Sequence, residues 1–123
     1  DTLSGADNYA NGLIDLNRFE EARSLLRRTV PVARRVLGES NNITLRMRCL
    51  YAASLYQDPA ATLDDMRESV TMFEETGRTA QRVLGGANPL TMGMERHLGL
   101  ARMALHARET PSPRTRGSLD GPT

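Results

Sequence analysis

The stretch Arg35-Val36-Leu37-Gly38 recurs as Arg82-Val83-Leu84-Gly85, and the fold can be predicted from this repetition. An asparagine-containing turn follows each copy. Beyond each turn stands a threonine beside apolar residues, Thr44 and Thr91, and these two threonines are 47 residues apart. A third start of the same kind, Asp1-Thr2-Leu3, places its threonine 42 residues before Thr44. Self-similarity at periods of this length is typical of proteins built from stacked repeats.

Apolar residues within each repeat follow the spacing of amphipathic helices, and no segment shows the alternation of a strand. The pattern predicts five helices, at about Leu3–Leu16, Arg18–Leu37, Thr44–Tyr56, Thr62–Leu84 and Asn88–His106. The expected fold is all-α. It is a right-handed α-solenoid of about two and a half repeats, each a pair of antiparallel helices called A and B. In the first B helix we expect the apolar stripe to be buried from Phe19 to Val36.

The predicted helix ends contain residues that are typical of helix caps. Asn88 followed by Pro89 predicts a helix start, with asparagine as the N-cap and proline at the first helical position. Thr62 and Asp65 have the spacing of a capping box. Gly38 stands where a left-handed residue commonly ends a helix. These signals support the predicted helix boundaries.

A small residue stands eight positions after each threonine of the repeat frame. Helices A and B of one pair are expected to cross closely there, because a large side chain would push them apart. The three residues at this position are Ala10, Ala52 and Gly99.

The chain divides into a helical repeat domain, residues 1–108, and a tail, residues 109–123, rich in Pro, Ser, Arg and Gly. The tail has no periodicity and is expected to be flexible. Because the first residue is Asp1, we expect the chain to be a piece of a longer protein.

Composition narrows the class of protein. Apolar residues make up 39% and charged residues 25%, as in a soluble globular protein. No stretch approaches the roughly 20 apolar residues of a membrane helix. A net charge of +1 gives no bulk electrostatic reason to bind nucleic acid. The lone Cys49 cannot form an internal disulfide, which predicts a reducing, cytoplasmic location.

The first repeat contains a characteristic series of motifs: Asn8-Tyr9-Ala10, Leu13, Asn17-Arg18-Phe19-Glu20-Glu21-Ala22, Leu26 and Arg35-Val36-Leu37-Gly38. The series resembles the tetratricopeptide repeats of kinesin light chains. The resemblance covers about Asp1–Leu105 and is strongest in the first repeat. The second B helix departs from it, since Met66-Arg67-Glu68-Ser69 replaces the Glu-Glu-Ala signature.

This resemblance implies that the A helices line a concave groove that binds another protein. It places the groove residues two, five, six, nine, twelve and thirteen positions after each threonine. The candidates selected from that frame are Asn8, Asn11, Asp15, Arg46, Cys49, Tyr56, Arg96 and His97. The amides of Asn8 and Asn11 can pair with the backbone of an extended peptide. Arg46 and Arg96 can bind a carboxylate of the partner. The alternative for each residue is an ordinary solvated surface position.

Catalytic and metal-binding patterns are not found. His97 and His106 are nine residues apart, which does not place them on adjacent turns of one face. Cys49 is interpreted as a buried small residue and not as a nucleophile. We therefore expect no enzyme activity, no cofactor and no metal. The predicted partner is a protein or peptide. The alternative is a structural spacer or self-association segment within a larger multidomain protein. For self-association we expect a homodimer formed through the exposed end faces of the first and last A helices.

Overall fold

The computed structural model describes residues 2–110, which form five α-helices. Their bounds are α1 Thr2–Asp15, α2 Phe19–Val36, α3 Asn42–Tyr56, α4 Leu63–Leu84 and α5 Pro89–Glu109. Each lies within three residues of its predicted position. The last helix reaches Glu109, so the rest of the predicted tail, residues 111–123, lies outside the described residues.

Consecutive helices pack against each other along the whole described chain, and α3 also contacts α1 and α5. The A helices α1, α3 and α5 therefore form one row, with α2 and α4 as the B helices beside them. This is the predicted α-solenoid of antiparallel helix pairs. The central helix α3 touches all four others, which explains why its sequence from Cys49 to Tyr56 is apolar almost all round.

The 47-residue repeat seen in the sequence is also a repeat in the core. Residues that correspond at this spacing are buried in both copies. These pairs are Leu26 with Phe73, Ala33 with Ala80, Thr44 with Thr91 and Met47 with Met94. The sequence repeat therefore marks equivalent packing positions.

The caps confirm the predicted helix ends. The Oδ1 atom of Asn88 accepts a hydrogen bond from the backbone N–H of Leu90 at 2.9 Å, and Asn41 caps α3 in the same way. Thr62 and Asp65 exchange both hydrogen bonds of a capping box, at 3.0 and 3.1 Å. Gly38 has a φ of 93°, in the region that favours glycine.

Two packing predictions were wrong. Val36 was expected in the buried stripe of α2, but it is the last residue of that helix and its side chain is 64% exposed. Ala10 and Ala52 lie buried at close crossings as expected, whereas Gly99 is exposed. Gly99 belongs to α5, which has no B helix of its own among residues 2–110.

We expect Gly77→Ala to stabilise the fold by about 1 kcal/mol, because glycine inside a helix carries a larger entropy loss on folding than alanine. Gly77 lies within α4, and a Cβ added there would meet no atom within 4 Å. Urea unfolding of both proteins measures the difference. The control is Gly38→Ala, which should lower stability by roughly 1–2 kcal/mol because of the positive φ. A loss of stability in Gly77→Ala would contradict the packing described here.

Candidate functional site

A hollow of about 350 Å³ opens on the side of the stack formed by the A helices. It is lined by Asn11, Ile14, Asp15, Asn17, Cys49, Leu50, Ala53, Gln57 and His97. Four of these are among the eight selected candidates, and all but Asn17 stand in the groove frame that the resemblance implies. Asn17 follows α1 in a left-handed conformation, with φ 61°. Asparagine tolerates that conformation better than most residues, which is the signal by which Asn17 could have been found.

The lining of the hollow combines apolar and polar residues. Among the apolar ones, Ile14 and Ala53 are buried and Leu50 is half-buried. Asn11 and Gln57 are exposed at its edge. A site of this kind can take one small or apolar side chain while its polar residues form hydrogen bonds to the flanking backbone.

Asn8 and Asn11 are exposed on α1, one helical turn apart. Within residues 2–110 neither side-chain amide takes part in a hydrogen bond. Each amide therefore offers two donors and one acceptor to a molecule lying along α1.

Arg46 already has a partner within the chain. Its Nη2 atom lies 3.1 Å from Oδ2 of Asp7, a carboxylate that is buried on α1. Burial raises the pKa of the Asp7 carboxyl, and the positive charge of Arg46 only partly offsets this effect. The other carboxylate oxygen, Oδ1, is buried without a hydrogen-bond partner among the described residues. Arg46 therefore joins α3 to α1, and about half of its side chain remains accessible.

Arg96 is exposed on α5 and forms no ion pair within the described part of the chain. Arg96 borders a second hollow of about 520 Å³ with Pro89, Met92 and Gly93. Of the two candidate arginines, Arg96 is thus the one whose guanidinium is available to a carboxylate.

Tyr56 and His97 belong to an aromatic cluster with Phe73. The Tyr56 hydroxyl lies 2.7 Å from Nδ1 of His97, and Gln57 donates to the same hydroxyl at 3.4 Å. The rings of Phe73 and His97 stack at 5.6 Å, with 7° between their planes. Both candidates are half-buried, so they shape the hollow and also join α3, α4 and α5.

The free energy of unfolding should depend on pH through the protonation of His97. Burial lowers its pKa, and the nearby Arg96 lowers it further, so the neutral ring is favoured in the folded state. A depressed folded pKa stabilises the fold above the ordinary pKa of 6.5, and this contribution is lost as the pH falls through the folded pKa. We expect the wild type to lose stability relative to His97→Asn as the pH falls below about 6.5. Urea unfolding of both proteins across this range measures the difference, and a constant difference would contradict the assignment.

Cys49 lines the hollow but is not poised for chemistry. Burial raises the pKa of its thiol to about 12, and Asp7 adds to the effect. The thiolate, which is the reactive form, is therefore scarce at neutral pH. Within residues 2–110 no group of three or more His, Cys, Asp or Glu side chains is placed to hold a metal ion.

A larger hollow, about 620 Å³, lies between α4 and α5 and contains none of the eight candidates. Phe73, Gly77, Met94 and Leu98 are among the residues that line it. These residues stand outside the groove frame of the A helices, so the frame does not predict this hollow.

Comparison with known proteins agrees with the helical repeat. Residues 2–42, which contain α1, α2 and the turn that follows, match a protein-family model described as Tetratricopeptide repeat. Searches of the curated proteins and of the solved structures found no match. Among the helices of residues 2–110, none combines the length and apolar character that a membrane crossing requires.

Proposed function

We propose that this chain, whose family match supports a tetratricopeptide repeat protein, binds an extended segment of a partner protein along α1, α3 and α5. Tetratricopeptide repeats are generally non-catalytic modules for protein–protein interaction. The observation that carries the proposal is the pair of unengaged amides, Asn8 and Asn11, beside a hollow lined by both apolar and polar residues.

The pair can hold the backbone of an extended peptide. Side chains three residues apart on a helix point the same way, so Asn8 and Asn11 face a ligand together. Each amide can donate to a peptide carbonyl and accept from a peptide N–H. Backbone pairing supplies affinity without specifying a sequence, while the hollow beside Asn11 selects the side chain that enters it.

Charges around the groove favour a particular kind of peptide. Arg96 on α5 attracts an acidic residue, and the exposed Asp15 on α1 attracts a basic one. Arg46 contributes less, since its charge is partly neutralised by Asp7. We therefore expect a peptide with one small or apolar residue for the hollow and an acidic residue on the α5 side.

The test is selection of binders from a displayed library of random 12-residue peptides, followed by affinity measurement on variants. Asn8→Ala combined with Asn11→Ala should raise the Kd of a selected peptide about tenfold to thirtyfold, since each lost hydrogen bond contributes about 1 kcal/mol. Circular dichroism and the melting temperature should stay close to those of the wild type, because both residues lie on the surface.

The matched control is Asn42→Ala, the same change at an exposed asparagine at the start of α3. This variant should bind the peptide as the wild type does. If the double variant unfolds, the two asparagines are structural. If it binds unchanged, the groove along α1 is not the binding surface. The kinesin light chain subtype and the cytoplasmic location remain predictions from the sequence.

A further inference from the structure

One face of α5 lacks the cover that the equivalent face of α3 has. On α3, Leu45 packs with Ala80 of α4, and Ala52 packs with Phe73 of α4. The residues 47 positions later are Met92, which is 56% exposed, and Gly99, which is exposed as well. The packing of α4 on α3 therefore indicates what would cover this face of α5: a helix that runs antiparallel to it.

We propose that the helix covering this face is α5 of a second copy of the chain, so that the protein forms a two-fold symmetric dimer. A two-fold axis passing close to Gly99 places the two α5 helices antiparallel, the direction in which α4 lies on α3. Two helices can approach closely at glycine, and a Cβ at Gly99 would meet no atom within 4 Å. Among the described helices, α5 contacts only α3 and α4.

The charged residues on this face of α5 can pair with those of a second copy. Glu95 stands four residues before Gly99 and Arg102 three residues after it, on the same side of the helix. In an antiparallel pair about Gly99, Glu95 of each copy therefore lies within one residue, about 1.5 Å along the helix axis, of the level of Arg102 of the other. Glu95 has no partner among the described residues, and Arg102 holds Glu74 at 2.8 Å with most of its side chain exposed. A guanidinium can bind a second carboxylate with its remaining N–H groups.

Apolar contacts fit the same arrangement. Met103 is 69% exposed, and Met92 lies on the same side of α5. The antiparallel pair brings Met103 within one helical turn of Met92 of the other copy. There it meets the hollow bordered by Pro89, Met92, Gly93 and Arg96. Each copy supplies both the methionine and the hollow, so two identical contacts form.

Sedimentation equilibrium of the full chain tests the proposal. We expect a monomer of 13.6 kDa at low concentration and twice that mass as the concentration rises. Met103→Glu should raise the dimer Kd at least about tenfold, because it puts a carboxylate into the apolar contact twice. The matched control is Leu16→Glu, an apolar-to-acid change at a residue that is 68% exposed at the far end of α1. This control should dimerise as the wild type does.

Charge reversal gives a second, specific readout. Glu95→Arg alone should weaken the dimer, and Glu95→Arg with Arg102→Glu should restore it, since the pair is then reversed and still complementary. Thermal unfolding of each variant checks that the monomer stays folded, because Arg102→Glu also removes the contact with Glu74. A Gly99→Cys chain should cross-link as a dimer under mild oxidation, whereas the wild type, whose single cysteine is the half-buried Cys49 on α3, should not.

A single 13.6 kDa species up to about 1 mM would overturn the proposal. So would a dimer that Leu16→Glu dissociates and Met103→Glu leaves intact, since the contact would then lie at the α1 end. Failure of the charge-reversed pair to restore the dimer would overturn the antiparallel α5 geometry. These experiments are run without peptide, because Arg96 borders both the α5 contact and the proposed groove.

Discussion

Replacing Phe73 with alanine is expected to lower the free energy of unfolding by about 3–5 kcal/mol. Phe73 is buried on α4 and packs with Ala52, Ala53 and Ala101, which lie on α3 and α5. Its ring also stacks on His97 at 5.6 Å. The truncation removes the largest fully buried side chain among the described residues, and it leaves a cavity where three helices meet.

Urea unfolding followed by circular dichroism measures the loss. A domain of this size has a total stability of roughly 5–15 kcal/mol, so the variant should be close to unfolding. The comparison variant is Leu26→Ala, at the equivalent position of the first repeat, where we expect about 2–5 kcal/mol. A loss below about 1 kcal/mol in Phe73→Ala would show that α4 and α5 do not pack as described.

Replacing Arg23 with alanine should cost about 3–5 kcal/mol, because it breaks a largely buried ion pair and leaves one partner uncompensated. Nη2 of Arg23 lies 3.0 Å from Oδ2 of Asp58, and both side chains are at least four-fifths covered. Nη1 donates to the carbonyl oxygen of Ser54 at 2.8 Å. One guanidinium thus ties α2 to the end of α3 and to the loop before α4.

A double-mutant cycle separates the energy of this ion pair from the other effects of the substitution. If Asp58 is the uncompensated charge, adding Asp58→Asn to Arg23→Ala should recover part of the loss. The control is Arg18→Ala, which breaks the exposed pair with Glu21 and should cost at most about 1 kcal/mol. Equal effects of Arg23→Ala and Arg18→Ala would mean that burial of the Arg23 pair contributes nothing.

The sequence predicted well those features that depend on residues close together in the chain. The caps at Thr62 and Asn88 involve residues within three positions of each other, so local sequence is sufficient to identify them. The 47-residue spacing of the repeat pairs Phe73 with Leu26, and both are buried. Such positions follow from helical periodicity combined with the repeat length.

The features that the sequence did not predict depend on which helix packs against a given position. Gly99 occupies the same repeat position as Ala52, but the latter is covered by α4 and the former by no described helix. The burial of Asp7 and its pair with Arg46 depend on how closely α1 lies against α3, which periodicity does not specify.

Four of the eight candidate residues line one hollow, and their role in binding stays a prediction. The repeat frame brought Asn11, Asp15, Cys49 and His97 to one hollow, because residues on the same face of successive A helices must meet. It did not separate Arg96, which has no internal partner, from Arg46, which has one. That distinction requires contacts between helices that are far apart in sequence.

The most direct test of the central claim is a heteronuclear NMR titration of the full chain with a peptide selected from the displayed library. The account predicts that the largest amide shifts fall on α1, α3 and α5 around the hollow, with the side-chain amides of Asn8 and Asn11 among them. Shifts concentrated on the outer surfaces of α2 and α4, with the two asparagines unmoved, would contradict it.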